Sequence, residues 1–424
     1  MEIKLDDYEK YVVDGLWTKA INKAIKDLNK GDTLIFSKNK TYISGTIFIK
    51  SDITFNLEEN AILKASNNID DMNSQGMKFD NITENTFINC DYNGCPYLYF
   101  IYGKDINNFY IKGKGTINGN EEIFYGEVTP TYIEGAFYPR MPLIYIENGK
   151  NIILNGITLT KSAFWTVHLV GCDGINIKGI KILNNRRMLN ADGIDPDHSK
   201  NINIEDCYIE SADDCIVLKG TEFFKKYGDT SNVLVKNCTL KSSSAAIKIG
   251  TETEAHFHNI HFENIKISDT NRGISIQLRD SGNIDNLTFD NLEINTHMFD
   301  LKAFWGKAEP IAITSVKRND KTINGKISNI KFNNLKINSE HGITIYGNDN
   351  IFDITFNNLD ITLNNETGND KNIYDLRPGI IGEIKDKHAL IYAVGANNIN
   401  VNGFKYDLNN NESLITNGNI IITA

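Results

Sequence analysis

One nine-residue phrase recurs along this chain and limits what it can fold into. It reads Asn, apolar, any, apolar, polar, Asn/Gly/Asp, apolar, any, apolar. Copies begin at Asn151, Gly174, Asn201, Asn232, Asn259, Asn286, Asn329 and Asp353, with a weaker one at Asn398. Successive starts lie 23 to 31 residues apart, except for two longer gaps. Inside each copy the apolar residues alternate, which is the period of a strand. The central Asn, Gly or Asp interrupts the alternation, as a bend between two short strands would. No single repeat can bury its apolar face, whereas stacked repeats share a continuous core. The pattern predicts an all-β chain: a single-stranded right-handed parallel β-helix, a solenoid. The recurrent Asn residues are expected at left-handed bends, where they stack into ladders. The leucine-rich-repeat horseshoe is excluded because Leu does not hold its fixed positions.

The front of the chain supplies an end cap. Trp17, Ala20, Ile21, Ala24, Ile25 and Leu28 fall at helical spacing, with Gly31 just beyond. A short N-terminal helix there would close the open core, with residues 1–50 forming the cap and first rungs. Three stretches, 70–96, 120–142 and 297–310, break the repeat and read as excursions near a cleft, since long insertions on a solenoid gather on its binding face. The whole of 1–424 reads as one domain.

Composition narrows the function classes. The net charge of −10 argues against a nucleic-acid binder, which normally carries a basic face. No apolar run approaches the length of about eighteen residues that a membrane span needs. The first residues, Met1-Glu2-Ile3-Lys4-Leu5-Asp6-Asp7, lack an apolar signal core. A cytoplasmic location is therefore expected, or an extracellular one if a leader was removed. The six cysteines include no CxxC pair, so they read as reduced and buried. No metal site and no cofactor are expected, and the oligomeric state is left open.

Chemistry concentrates in carboxylates. Asn190-Ala-Asp-Gly-Ile-Asp195 is followed by Asp213-Asp-Cys215, and Asp213 lies 21 residues after Asp192, about one rung. Stacked rungs are about 4.8 Å apart. Asp192, Asp213 and Asp214 could then share a patch in which like charges raise each other's proton affinity. One acid beside one base is what glycosidic cleavage requires. In strict strand geometry Asp213 and Asp214 face opposite sides, so a bend must lie between them for both to serve one site.

These motifs resemble glycoside hydrolase family 28, the polygalacturonases and rhamnogalacturonan hydrolases. The resemblance rests on Asn190-Ala-Asp-Gly-Ile-Asp with Asp213-Asp-Cys-Ile-Val-Leu-Lys219. Asp14-Gly15, Thr41 to Ile49, Gly113 to Asn118 and Trp165-Thr-Val-His168 are also similar. It implies an inverting hydrolase in which Asp213 is the acid and Asp192 and Asp214 hold and deprotonate water. Two departures mark a divergent member. Where the family has Gly-His-Gly, this chain has Ser242 to Ala246, with Ser244 at the histidine. Where the family has Arg-Ile-Lys against the sugar carboxylate, this chain has Ser275-Ile-Gln277. A bidentate arginine is the natural partner of a uronate. Lys219, Lys248, Arg272 and Arg279 are the candidate replacements.

Trp165 is a candidate sugar platform or an edge-packing residue, and His168 a candidate substitute for the missing histidine. Glu252 and Gln277 join the substrate-binding candidates. Lys307 and Glu309 either rim the pocket or pair with each other in solvent. The expected function is hydrolysis of pectin-type, galacturonide-containing carbohydrate, with exo action suggested by the excursions. Three alternatives stand: the same mechanism on a neutral or differently substituted sugar, a polysaccharide lyase, and a non-catalytic carbohydrate-binding β-helix.

Overall fold

The structure, a computed structural model, describes residues 1–72, 98–135, 140–299, 303–407, 413–416 and 420–423. The chain is a right-handed parallel β-helix, and it packs as two compact units, Met1–Ala212 and Asp213–Ala424. In each, a strand pairs in parallel with the strand one repeat further along.

The first unit opens with a helix, Thr18–Asp27, that buries Ala20, Ile21, Ala24 and Ile25. Trp17 and Leu28, at its two ends, are buried as well. The apolar spacing thus becomes the cap that the sequence predicts. Three columns of apolar residues follow. Ile47, Ile101, Ile144, Val167 and Ile194 stack in register on one face. Leu34, Phe55, Ile111, Leu154, Ile177 and Ile204 stack on a second. Leu63, Ile117, Leu159, Ile182 and Ile209 form the third. These residues are buried, so the core runs continuously through the rungs.

The second unit repeats the design. Ile216, Ile247, Ile274 and Ile311 stack in one column. Phe262, Phe289, Phe332 and Phe356 form another, with near-parallel rings 4.8 to 5.3 Å apart.

The bends explain the phrase. Its first position has positive φ in every copy, from Asn151 (55°) to Asn398 (55°), and so does its sixth, as at Asn264 (54°) and Asn334 (56°). Asn tolerates this region because its short amide can bond locally. The amides then link rung to rung. Asn286 donates to Asn259 at 2.6 Å, and Asn334 to Asn291 at 2.9 Å.

Of the expected excursions, 120–142 contains a 3₁₀ turn, Glu121–Phe124, and an antiparallel pair, Tyr125–Val128 with Ile133–Gly135. Most of 70–96 falls outside the described residues, as do 300–302 within 297–310 and Cys90 and Cys95. The other four cysteines, Cys172, Cys207, Cys215 and Cys238, are buried. No helix among the described residues is long and apolar enough to cross a membrane. A further excursion, 364–388, has no counterpart in the sequence reading. It carries an antiparallel pair, Ile373–Asp375 with Glu383–Lys385.

Candidate active site

The two aspartate motifs sit at strand entrances. In the first unit, Asp192 precedes the strand Ile194–Asp197 and is buried. Its backbone carbonyl accepts from the Thr166 hydroxyl at 2.6 Å and from the Thr166 N–H at 3.1 Å. Asn184 also donates to Thr166 Oγ1, at 2.7 Å. Arg140, wholly buried, donates to Asn190 Oδ1 at 2.7 Å and to the Leu189 carbonyl. The segment that carries Asp192 is therefore braced from both sides.

His168 and Trp165 lie one rung before that segment. His168 pairs in register with Asp195, and its Nε2 is 3.3 Å from Asp197 Oδ2. The Trp165 ring stacks on Phe164 at 4.8 Å and meets His168 edge-on. Trp165 is only 5 % exposed, so its ring is covered by protein rather than presented as an open platform. Both residues pack against these neighbours.

In the second unit, Asp213 lies in a bend and Asp214 just ahead of the strand Ile216–Gly220. That bend frees the pair from strand alternation. Ser242 Oγ donates to the Asp213 carbonyl at 2.6 Å and accepts from the Ser244 N–H at 2.8 Å. Ser244 Oγ donates to Asp214 Oδ1 at 3.3 Å, so the residue at the family's histidine position touches this carboxylate. Lys248 Nζ is 2.8 Å from Asp214 Oδ2. Burial pushes the Asp214 carboxyl up to about 6; Lys248 opposes the rise and Asp213 adds to it. The group is thus a carboxylate above pH about 6 and an acid below it. Lys219 Nζ is 3.5 Å from Glu252 Oε2. Burial acts to raise the Glu252 carboxyl, but Lys219, then Arg318, Lys248 and Arg279, hold it below the usual range.

The outer face of the next strands is covered. Lys248 pairs in register with Ser275, Ser275 with Ala312, and Ala312 with Thr344. Gln277 pairs with Thr314, and Thr314 with Tyr346. Ser275 and Gln277 are both buried, and the segment 364–388 reaches Gln277. Gln277 Nε2 donates to the Arg377 carbonyl at 3.0 Å, Ile380 N–H donates to Lys317 O at 3.1 Å, and Tyr374 stacks on Tyr392 at 3.8 Å.

A buried ion pair ties this roof down. Arg272 Nε donates to Glu309 Oε2 at 3.1 Å, and one terminal nitrogen donates to the Asp375 carbonyl at 2.5 Å. Asp375 Oδ2 accepts from Gly306 N–H at 2.7 Å and from Arg377. Burial disfavours the Glu309 charge, but Arg272 holds its carboxyl below the usual range. Lys307 and Glu309 are not paired with each other in solvent: both are buried, and Lys307 reaches Glu383 at 3.0 Å. Arg279 is buried close to Asp280, which Arg318 grips with 2.6 and 2.8 Å bonds.

The second unit therefore brings together Asp213, Asp214, Lys248, Lys219 and Glu252, and separately joins Arg272 to Glu309. The sequence reading missed Arg318, Asp280, Asp375, Arg377 and Glu383. For Asp375, Arg377 and Glu383 the signal available was the 45-residue gap between the copies at Asp353 and Asn398, which is too long for one rung.

Comparison with known proteins decides the family. The model of the glycosyl hydrolases family 28 matches residues 49–374. The chain belongs to that family. A probable polygalacturonase of Vitis vinifera is 30 % identical over 275 residues, which cover 61 % of this chain and 53 % of that protein. An endo-polygalacturonase of Pectobacterium parmentieri is 26 % identical over 61 % of this chain and 64 % of its own length. The matched stretch thus spans between about half and two thirds of these relatives' own length. Among solved structures, the family 28 exopolygalacturonase of Yersinia enterocolitica superposes with a TM-score of 0.70 at 17 % identity, covering 100 % of this chain and 78 % of that one.

Proposed function

We propose that this protein is an inverting glycoside hydrolase acting on galacturonide-containing carbohydrate of the pectin type, from a chain end. The observation that carries the reading is the Asp213-Asp214 bend, where a buried carboxyl raised to about 6 lies against Lys248. In this mechanism the Asp213 carboxylic acid gives its proton to the glycosidic oxygen as the bond to the anomeric carbon breaks. A water attacks that carbon from the opposite face, and its proton passes to the Asp192 and Asp214 carboxylates, so the configuration inverts. Asp214 is ionised above pH about 6 and can play the base near neutrality. Lys248 and Lys219 supply positive charge beside these carboxylates for an acidic sugar. Exo action is supported by the roof at 364–388 and by the polygalacturonase relatives, one of them an exo enzyme.

The test is product release from oligogalacturonides, rhamnogalacturonan fragments and neutral aryl glycosides, comparing the protein with Asp213→Asn. Loss of general-acid catalysis should slow turnover by about 10²- to 10⁴-fold. Monomer released first from a galacturonide chain, with inverted configuration by NMR, is the expected result. Equal rates for the two proteins would sink the assignment of Asp213.

A second reading is favoured by one observation. Ser275 and Gln277 replace the family's carboxylate-binding pair, and Gln277 and Arg272 are already engaged by the protein itself. A neutral or differently substituted sugar would then be the substrate. Release only from such members of the panel would select it.

A further inference from the structure

A second cluster of chemistry-bearing side chains lies at the start of the strand His256–Thr270. His256 and His258 alternate with the buried Phe257 and therefore share the outer face of the sheet. Their rings are 4.4 Å apart. Asp229 ends the excursion 221–229, just ahead of the strand Thr230–Lys236, and its Oδ2 is 3.3 Å from His258 Nε2. One donor atom from each of Asp229, His256 and His258 lies within 4.8 Å of the others. Asp285, on the following rung, is 2.6 Å from His256 Nε2.

We propose that Asp229, His256 and His258 bind a divalent transition-metal ion of the Zn²⁺ type, with Asp285 as the residue that orients His256. Imidazole and carboxylate donors are the ligand set such an ion prefers. Zinc–ligand bonds of about 2.1 Å in tetrahedral geometry put donor atoms about 3.4 Å apart. The 3.3 Å between Asp229 and His258 already matches one edge of that tetrahedron, and side-chain rotation closes the remaining distances. When His256 gives its Nε2–H to Asp285, its lone pair is on Nδ1. That is the carboxylate–histidine–metal relay that fixes the tautomer of a ligating imidazole and raises its basicity. The fourth position is left for water.

Among the described residues, the other surface histidines lack this arrangement. His261 meets Asp290 at 2.8 Å, and His297 meets Asp269 at 2.8 Å, each as a histidine–carboxylate pair without a second imidazole in its metal-type grouping. The proposed ion joins two pieces of chain. Residues 221–229 leave the strand that carries Lys219 and return at Asp229. An ion held by Asp229 and the two histidines staples that excursion onto the neighbouring rung, so binding should stabilise the fold by linkage.

The experiment is calorimetric titration of the full chain, stripped with a chelator, with zinc chloride, alongside thermal melting. One equivalent should bind, and the melting temperature should rise with zinc but not with calcium. His258→Ala and Asp229→Asn should each weaken binding at least about tenfold, and Asp285→Asn by about 10- to 100-fold. His261→Ala should bind as the parent does. Melting in chelator shows whether each variant folds, and Asp229→Asn changes only an exposed side chain, so at least one variant tests the site. No binding by the parent would overturn the proposal. So would binding that survives both His258→Ala and Asp229→Asn, or is lost in His261→Ala.

Discussion

Two ion pairs of the second unit carry the same charges to different ends. Lys248 meets Asp214 at 2.8 Å, and Arg272 meets Glu309 at 3.1 Å. The Asp214 carboxyl remains raised to about 6, because burial and the neighbouring Asp213 outweigh its lysine. The Glu309 carboxyl is held below the usual range by Arg272 and takes a further hydrogen bond from the Lys307 N–H at 2.7 Å. One pair is poised near neutral pH beside a motif that chemistry can use. The other is saturated and holds the 297–310 and 364–388 segments together. A cation near a candidate site is therefore not a substrate clamp until its partners have been counted.

The comparison predicts its largest effect at Arg272. Arg272→Met should lower the free energy of unfolding by about 3–5 kcal/mol, since it leaves Glu309 buried without its counter-charge. The double variant Arg272→Met/Glu309→Leu should recover much of that loss in urea denaturation. A rise in KM with unchanged stability would instead make Arg272 a substrate ligand and erase the contrast.

Lys248 tests the other pair. With Asp214 as a base, the rate should fall as pH drops through about 6, because protonation removes the carboxylate. Lys248 lowers that value, so Lys248→Met should move the acidic limb of the kcat profile upward, by about one pH unit or roughly 1.4 kcal/mol. A limb that stays in place would separate Asp214 from the rate.

The smallest effect is expected at Gln277. Gln277→Ala should cost about 0.5–1.5 kcal/mol for its hydrogen bond to Arg377 and leave kcat nearly unchanged. A large loss of activity with an intact melting transition would move Gln277 from the roof contact to the substrate.

Much of this was legible in the sequence. The columns through Ile247 and Ile274, the left-handed Asn bends and the Trp17–Leu28 cap follow from spacing of residues close in the chain. The bend between Asp213 and Asp214 was required once both were read as one site, and it is there. What the spacing could not reveal is which charges meet. Lys307 and Glu309 look like a local pair, yet each turns to a residue far away, Glu383 and Arg272. The roof at 364–388 has the composition of a loop, rich in Asn, Asp, Glu and Lys, and its apolar anchors Tyr374 and Leu376 are too few to form a pattern.

The sequence by itself determined the solenoid, its rung length, its cap and the aspartate motifs. Each is a periodic or short-range property, and stacking identical rungs leaves little freedom once the repeat is set. Only the tertiary structure decided that Arg272 is spent on Glu309 and the Asp375 carbonyl, that Gln277 is covered, and that Asp214 remains near neutral pH. Those outcomes depend on contacts between residues 30 to 103 positions apart. Burial sets their strength, and no local spacing encodes it.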